Sequence, residues 1–410
     1  MTAETASAGH GSSRQPDHAA RHSLGVALMF ATNGAMMASL VPWYPTFIKE
    51  WGLPEAAFGL VVACMPFGSL LSSVLPAWVM RKFGPNGAVL GGTISMALVV
   101  AAAGWLTNAW MLAALLLLFG AADAVADVGQ NLIGVRVEHR RGKSIMSSLH
   151  ACWSLGAAGG GALATTAAVA GINYTVFMVT AAVVIALLSV VAVRMVGSAA
   201  RHPDDATDSH THEHHSSTEK LWTLPVFKAV LPLVLIAIAA VVIEDIASNW
   251  AGLSAVELQG IDVASAGSAF VFIVGAQMLG RFTGDMLIDA FGRVAIARMG
   301  GIFIACGGVL VLLAPNVVVM YAGFMLAGFG CATLVPSAYW MATRLPGVSD
   351  GGGLTMVSWL MRIGFMGTSP LIGSIASVTN LSTALLILPV SGVIVVLLAT
   401  AVAPKTAAQE

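Results

Sequence analysis

Two aspartates interrupt an otherwise apolar run at "GAADAVADVGQN", residues 120–131. A carboxylate in hydrocarbon is costly, and chains retain one there mainly where it has work to do. Asp123 and Asp127 are four apart, so on a helix they share one face, and Asn131 extends the same stripe. Burial and a neighbouring carboxylate both favour the neutral acid, so such a pair can take up and release a proton. The plainer reading is a polar contact between helices. A second acidic pair lies in "VVIEDIASNW". Glu244 and Asp245 are adjacent and point about 100° apart on a helix, so at most one faces a given cavity squarely. Both are candidates for proton coupling. Asn249, four after Asp245, and Trp250 supply an amide and an indole that suit a polar, ring-bearing solute. Trp250 equally fits an interfacial aromatic belt.

Basic counterparts stand elsewhere. Arg362 sits in the middle of "SWLMRIGFMG". An unpaired arginine at that depth is expensive, so it is expected to pair with Glu244 or Asp245, or to meet an anionic substrate. Arg281 lies nearer the end of its run and is expected to support a loop through Asp285 or Asp289. Asn33, His150, Trp153, Gln277 and Tyr339 are further candidates for lining a substrate cavity.

These residues need helices in a bilayer to position them. The 410-residue chain is 57% hydrophobic and only 10% charged, with a mean hydropathy of +0.86, whereas soluble domains carry roughly 25% charged residues. Runs of about 20 apolar residues are long enough to span. Twelve fit, near 24–48, 56–80, 87–106, 109–134, 146–169, 172–196, 225–251, 264–288, 294–313, 316–341, 353–376 and 381–402. Their breaks are turn-forming, among them "RKFGPNG", "GIN", "APN" and "TNLS". Threading twelve spans places Arg81, Lys82, Arg136, Arg140, Arg141, Lys143, Arg201, Lys220, Arg293, Arg298 and Arg344 on one side, against Lys49 on the other. Positive residues mark the cytoplasmic side, so both termini are expected there. The expected organisation is a cytoplasmic tail (1–23), a six-helix half (24–197), a polar His-rich linker (198–222), a second six-helix half (223–402) and a C-terminal tail (403–410). A long central inner loop between two such halves is what a duplicated six-helix unit produces. The four cysteines, Cys64, Cys152, Cys306 and Cys331, have no metal-ligand spacing and read as small core residues.

The loop "GDMLIDAFGRVAIAR" carries Asp289-Ala290-Phe291-Gly292-Arg293, which resembles the D-R-x-G-R loop of the major facilitator superfamily. The equivalent stretch of the first half, "AWVMRKFGPNG", keeps Phe83-Gly84 but has Arg81 where the family usually has Asp. "VEHRRGKSIMSSLHACWSLG" (137–156) is similar to the branch holding fucose permease-like and YbjJ-type bacterial transporters. The resemblance implies an all-α major facilitator fold and a cytoplasmic gate at Arg281, Asp285, Asp289 and Arg293. Acid and base at helix ends satisfy the macrodipole and can pair across such a loop in one state of the gate.

The leading expectation is a proton-coupled secondary transporter for a small polar solute, a sugar or an organic acid. Its partners are that solute, protons and lipid. Two alternatives stand beside it: proton-driven export of amphipathic compounds, and a sensor or metal-handling protein on a transporter fold. The run "GAAGGGA" lacks the proline of drug-proton antiporters and weakens the export reading. No Walker motif or hydrolase spacing occurs, so the chain is expected to be neither an ATP-driven pump nor an enzyme. A monomer without cofactor, metal or nucleic acid is expected. "HTHEHH" (210–215) reads as part of a polar linker.

Overall fold

The computed structural model describes residues 15–141, 145–197, 224–345 and 350–403. The linker, both tail ends, Lys143 and the "HTHEHH" run lie outside the described residues. Every regular element among the described residues is helical. The first half of the chain forms α1 (Gln15–Ala38), α2 (Tyr44–Trp51), α3 (Glu55–Leu71), α4 (Leu75–Ala103), α5 (Ala109–Arg141), α6 (Met146–Val169) and α7 (Tyr174–Val196). The second half forms α8 (Leu224–Asp245), α9 (Ala251–Gln259), α10 (Gly267–Phe291), α11 (Arg293–Leu312), α12 (Val317–Cys331), α13 (Leu334–Ala342), α14 (Asp350–Val378), α15 (Leu381–Ala384) and α16 (Ile387–Leu398).

Nine stretches among the described residues are long and apolar enough to cross a membrane. One of them, Leu75–Ala103, is broken at Gly84, whose φ of 71° and ψ of 171° are not helical. The preceding helix, α3, has only 17 residues before the turn at Ser72–Val74. Helix α5 is longer than its apolar run, ending in His139, Arg140 and Arg141, whose charge suits a helix C-terminus. At about 1.5 Å per residue, its 33 residues extend well beyond a hydrocarbon core of about 30 Å.

The turns follow from the residues that make them. Asn173, Asn316 and Asn380, from the breaks "GIN", "APN" and "TNLS", cap α7, α12 and α15 by accepting from the amides of Thr175, Val319 and Thr383. Phe291-Gly292 repeats the Phe83-Gly84 turn, with Gly292 at φ 83° and ψ 154°. Only glycine takes that backbone freely. The first span of each half is also interrupted alike. A 3-10 turn at Val41–Trp43 separates α1 from α2, and a π-helical turn at Ile246–Trp250 separates α8 from α9.

Within the first half, α1 packs on α6 and α7, and α5 on α3 and α4. Within the second, α11 packs on α12 and α16, and α8 on α14. The halves meet along α3 with α14 and α6 with α10. Those contacts are closest at one end. A Cβ added at Gly59 would overlap the Ser369 carbonyl oxygen, and one at Gly373 that of Glu55. Phe58 and Trp250, both buried, meet edge to face across the halves at 5.4 Å. Leu98, Leu118, Leu163 and Leu187 are exposed on the outside, with Trp105 and Trp110 near helix ends, a surface suited to lipid and its interface. Of the cysteines only Cys331 is buried, and Cys306 is exposed, which corrects the uniform core assignment.

Candidate functional site

Asp123 lies at the junction of three helices. One of its carboxylate oxygens accepts from the Asn33 amide of α1 at 2.8 Å, and the Asn33 oxygen accepts from the Trp153 indole of α6 at 2.7 Å. The polar chain therefore runs from α5 through α1 to α6. Asp127 is held within its own helix: one oxygen accepts from Asn131 at 2.9 Å and from Gln130 at 3.2 Å. Its other oxygen accepts no hydrogen bond among the described residues. Both aspartates line a cavity of about 390 Å³ between the halves, which Trp153, Glu244, Gln277 and Arg362 also line. Met37, Met65, Val241, Val274, Phe270, Met361 and Phe365 supply most of its apolar wall. That size is within the range of small-molecule sites.

Glu244 joins this cavity to a second of about 390 Å³, lined by Met146, His150, Arg281, Asp285, Arg293 and Tyr339. One Glu244 oxygen accepts from Arg281 at 2.8 Å and from Gln277 at 2.6 Å. The other arm of Arg281 donates to the Ser154 hydroxyl of α6 at 2.7 Å, crossing between the halves. The expected pairings are therefore corrected. Arg281 pairs with Glu244 rather than with Asp285 or Asp289: its two arms reach across to α8 and α6, although Asp285 lies four residues on along its own helix. Arg362 has neither Glu244 nor Asp245 as a partner. Among the described residues it makes no hydrogen bond or ion pair, and its exposed side chain lines the deeper cavity.

Asp245 points elsewhere, as the angular offset of adjacent residues requires. It is 2% exposed, accepts from Ser369 of α14 at 2.6 Å and from Asn249 at 3.0 Å, and lines neither large cavity. The Trp250 indole donates to the same Ser369 hydroxyl at 3.0 Å. Trp250 is fully buried there, which excludes the interfacial belt. Asp245, Asn249 and Trp250 thus form a cluster against α14, close to where α14 meets α3. The π-helical turn that arranges this cluster leaves no mark in residue spacing, although such turns recur at functional sites.

At the far end, Arg293 and Arg344 both lie over the Trp340 ring, at 4.2 and 4.0 Å from its centroid. Asp285 and Asp289 are the carboxylates whose charges reach Arg293, without forming an ion pair with it. His150 packs edge-on against Phe30, and the Tyr339 hydroxyl approaches the Met361 sulfur at 3.7 Å. Ser154 and Ser369 were not expected as site residues. Each sits among small residues, where serine reads as packing.

Two helical halves around a central charged cavity match a known family, whose model, Major Facilitator Superfamily, covers residues 26–285. The chain belongs to the Major Facilitator Superfamily. It is therefore a multi-pass transporter of that superfamily. It is 24% identical over 357 residues to an uncharacterized MFS-type transporter of Yersinia pestis, covering 87% of this chain and 89% of that one. Membrane protein MosC of Rhizobium meliloti is 26% identical over 374 residues, covering 90% and 87%. Among solved structures, the D-xylose-proton symporter aligns with a TM-score of 0.68 at 15% identity, covering 93% and 95%. Nucleoside transporter NupG gives 0.65 at 14%, covering 94% and 98%. The E. coli fucose:proton symporter FucP gives 0.58 at 15%, covering 95% and 99%. At such identities the solved structures bear on the fold alone.

Proposed function

We propose that this chain moves a small polar solute across a bacterial inner membrane by alternating access, coupled to protons. It crosses the membrane twelve times as a monomer, with both termini cytoplasmic. The observation that carries the reading is the central cavity, where Asp123, Asp127 and Glu244 share a wall with Arg362 between the two halves. Buried charge facing a cavity in a membrane protein is a mark of a transport pathway. Asp123 is the favoured proton carrier, because its hydrogen-bonded chain through Asn33 to Trp153 ties its ionisation to the packing of α1 on α6. Two fold neighbours are by name proton symporters, for D-xylose and fucose, and the proposal extends proton coupling and a polar solute to this chain.

The state is open toward the Arg293 end. The halves are packed at Gly59 and Gly373, while the second cavity, lined by α6 of the first half and by α8, α10, α13 and α14 of the second, extends to Arg293 beside the Gly292 turn. On the charge pattern that end is cytoplasmic. Rocking the halves would close it and part the outer contacts. Export of amphipathic compounds is a second reading, favoured by the methionine and phenylalanine walls of the deeper cavity.

Proteoliposomes loaded with a pH-sensitive dye test the proposal. Solute added outside should acidify the lumen of vesicles holding right-side-out protein, and a protonophore should abolish the signal. A solute flux with no proton movement would remove the coupling. Binding without any flux would favour a sensor.

A further inference from the structure

The charges of the cavity are not equally engaged. Glu244 is occupied by Arg281 and Gln277. Asp123 accepts from Asn33 of another helix and is taken up by the proton-carrier role proposed above. Two groups are left over, and they have opposite sign. Asp127, which like the other two carboxylates accepts through one oxygen only, is bonded solely by Gln130 and Asn131 of its own helix and has no ion pair among the described residues. Arg362 has a guanidinium without either. Both line the same cavity of about 390 Å³, Asp127 from α5 of the first half and Arg362 from α14 of the second.

From this we propose that the transported solute is a zwitterion, carrying an ammonium group toward Asp127 and a carboxylate or similar anion toward Arg362. The inference rests on the transporter reading above and narrows its polar solute to one charge class. Arg362 suits a carboxylate because its planar fork can donate two parallel hydrogen bonds. Ionised, Asp127 can only accept hydrogen bonds, and its free oxygen needs a donor. An uncharged polyol would satisfy hydrogen bonds at both groups but would neutralise neither. The wall between them is mainly apolar, with Met65, Val241, Met361 and Phe365 available to cover a hydrocarbon or ring body. His150 is the titratable base whose surroundings include Asp127, but Arg281 and Glu244 act on it as well, and it makes no bond to Asp127. Because the two charges come from opposite halves, a solute with both signs would draw α5 and α14 together around itself. A singly charged solute would leave one group bare as the cavity closes.

The test is thermal stabilisation of the purified full chain by a panel divided equally among small zwitterionic amino acids, their amides (cations), the matching acids without the amine (anions) and neutral polyols of similar size. Zwitterions should stabilise the wild-type protein more than any other class. Asp127→Asn should lose tenfold to a hundredfold in zwitterion affinity and turn its preference to the anions. Arg362→Gln should lose as much and turn to the cations. These factors are those of one charge-assisted contact. Both substitutions are near-isosteric, and the melting temperature without solute reports whether each variant folds. If either substitution prevents folding, Asp127→Glu and Arg362→Lys replace them: Asp127→Glu should weaken zwitterions and cations with anions unchanged, and Arg362→Lys zwitterions and anions with cations unchanged. Polyols matching the zwitterions on the wild-type protein, or unchanged class preferences in folded variants, would overturn the assignment while leaving transport intact. A wild-type protein stabilised by no class also overturns it, and proton flux in the dye-loaded vesicles then decides separately whether transport stands.

Discussion

Arg281 on α10 and Ser154 on α6 meet at 2.7 Å, a contact between the two halves made by the same guanidinium that pairs with Glu244. The carboxylate and the hydroxyl are thus linked through one side chain that is itself only 23% exposed. A rocking motion that changes the α6–α10 packing must alter this link. Arg281→Gln should destabilise the protein by about 1.5–3 kcal/mol, the usual worth of a hydrogen bond to a charged group. Adding Glu244→Gln should recover part of that loss, because the bare carboxylate is removed. Thermal unfolding of the two singles and the double measures the coupling. Additive losses would show that Glu244 does not depend on Arg281.

Charge exchange separates the observed pairing from the one expected on the sequence. Glu244→Arg combined with Arg281→Glu should yield folded protein at higher levels than Glu244→Arg alone. The same exchange with Arg362→Glu should give no rescue, since Arg362 makes no contact with Glu244. Fluorescence-detected size-exclusion of the three variants checks this. Rescue by Arg362 in place of Arg281 would contradict the geometry.

Asp245 is expected to act through structure. Its two oxygens hold Ser369 and Asn249 in a buried cluster, so Asp245→Ala should cost about 1–3 kcal/mol per orphaned donor. Asp245→Asn should cost less, because the Asn249 amide can turn to present its oxygen. A melting temperature for Asp245→Ala equal to wild type would show that this cluster holds nothing.

Much of this arrangement was legible in the sequence. The Asn-containing breaks and the Phe-Gly turns marked helix ends because capping and positive φ are local properties of one or two residues. Asp123 and Asp127 shared a stripe because four residues fix a helical face. The partner of Arg281 was not legible, since pairing between helices depends on their rotation and tilt. Nor were Ser154 and Ser369, whose roles come from what faces them. The offset between Glu244 and Asp245 was legible, but which of the two would face the cavity was set by packing against α14.

The glycines at the α3–α14 contact carry a prediction about state. Gly59→Ala places a methyl where it would overlap the Ser369 carbonyl oxygen. Overpacking of this kind costs about 1–3 kcal/mol. On the proposed orientation this contact closes the outer end, so the outward-open state should gain population. With the native cysteines replaced, Ser248→Cys should react faster with an impermeant maleimide from outside when Gly59→Ala is present. Equal rates would show that this contact does not set the state.

Proton coupling at Asp123 is tested most directly by comparing wild type with Asp123→Asn in dye-loaded proteoliposomes, using the solute selected by the stabilisation panel. Asparagine preserves size and the contact with Asn33 while removing titration. Solute should acidify the lumen with the wild-type protein and leave it unchanged with the variant, while solute–solute counterflow persists in both. Acidification by Asp123→Asn at the wild-type rate would contradict coupling through this residue.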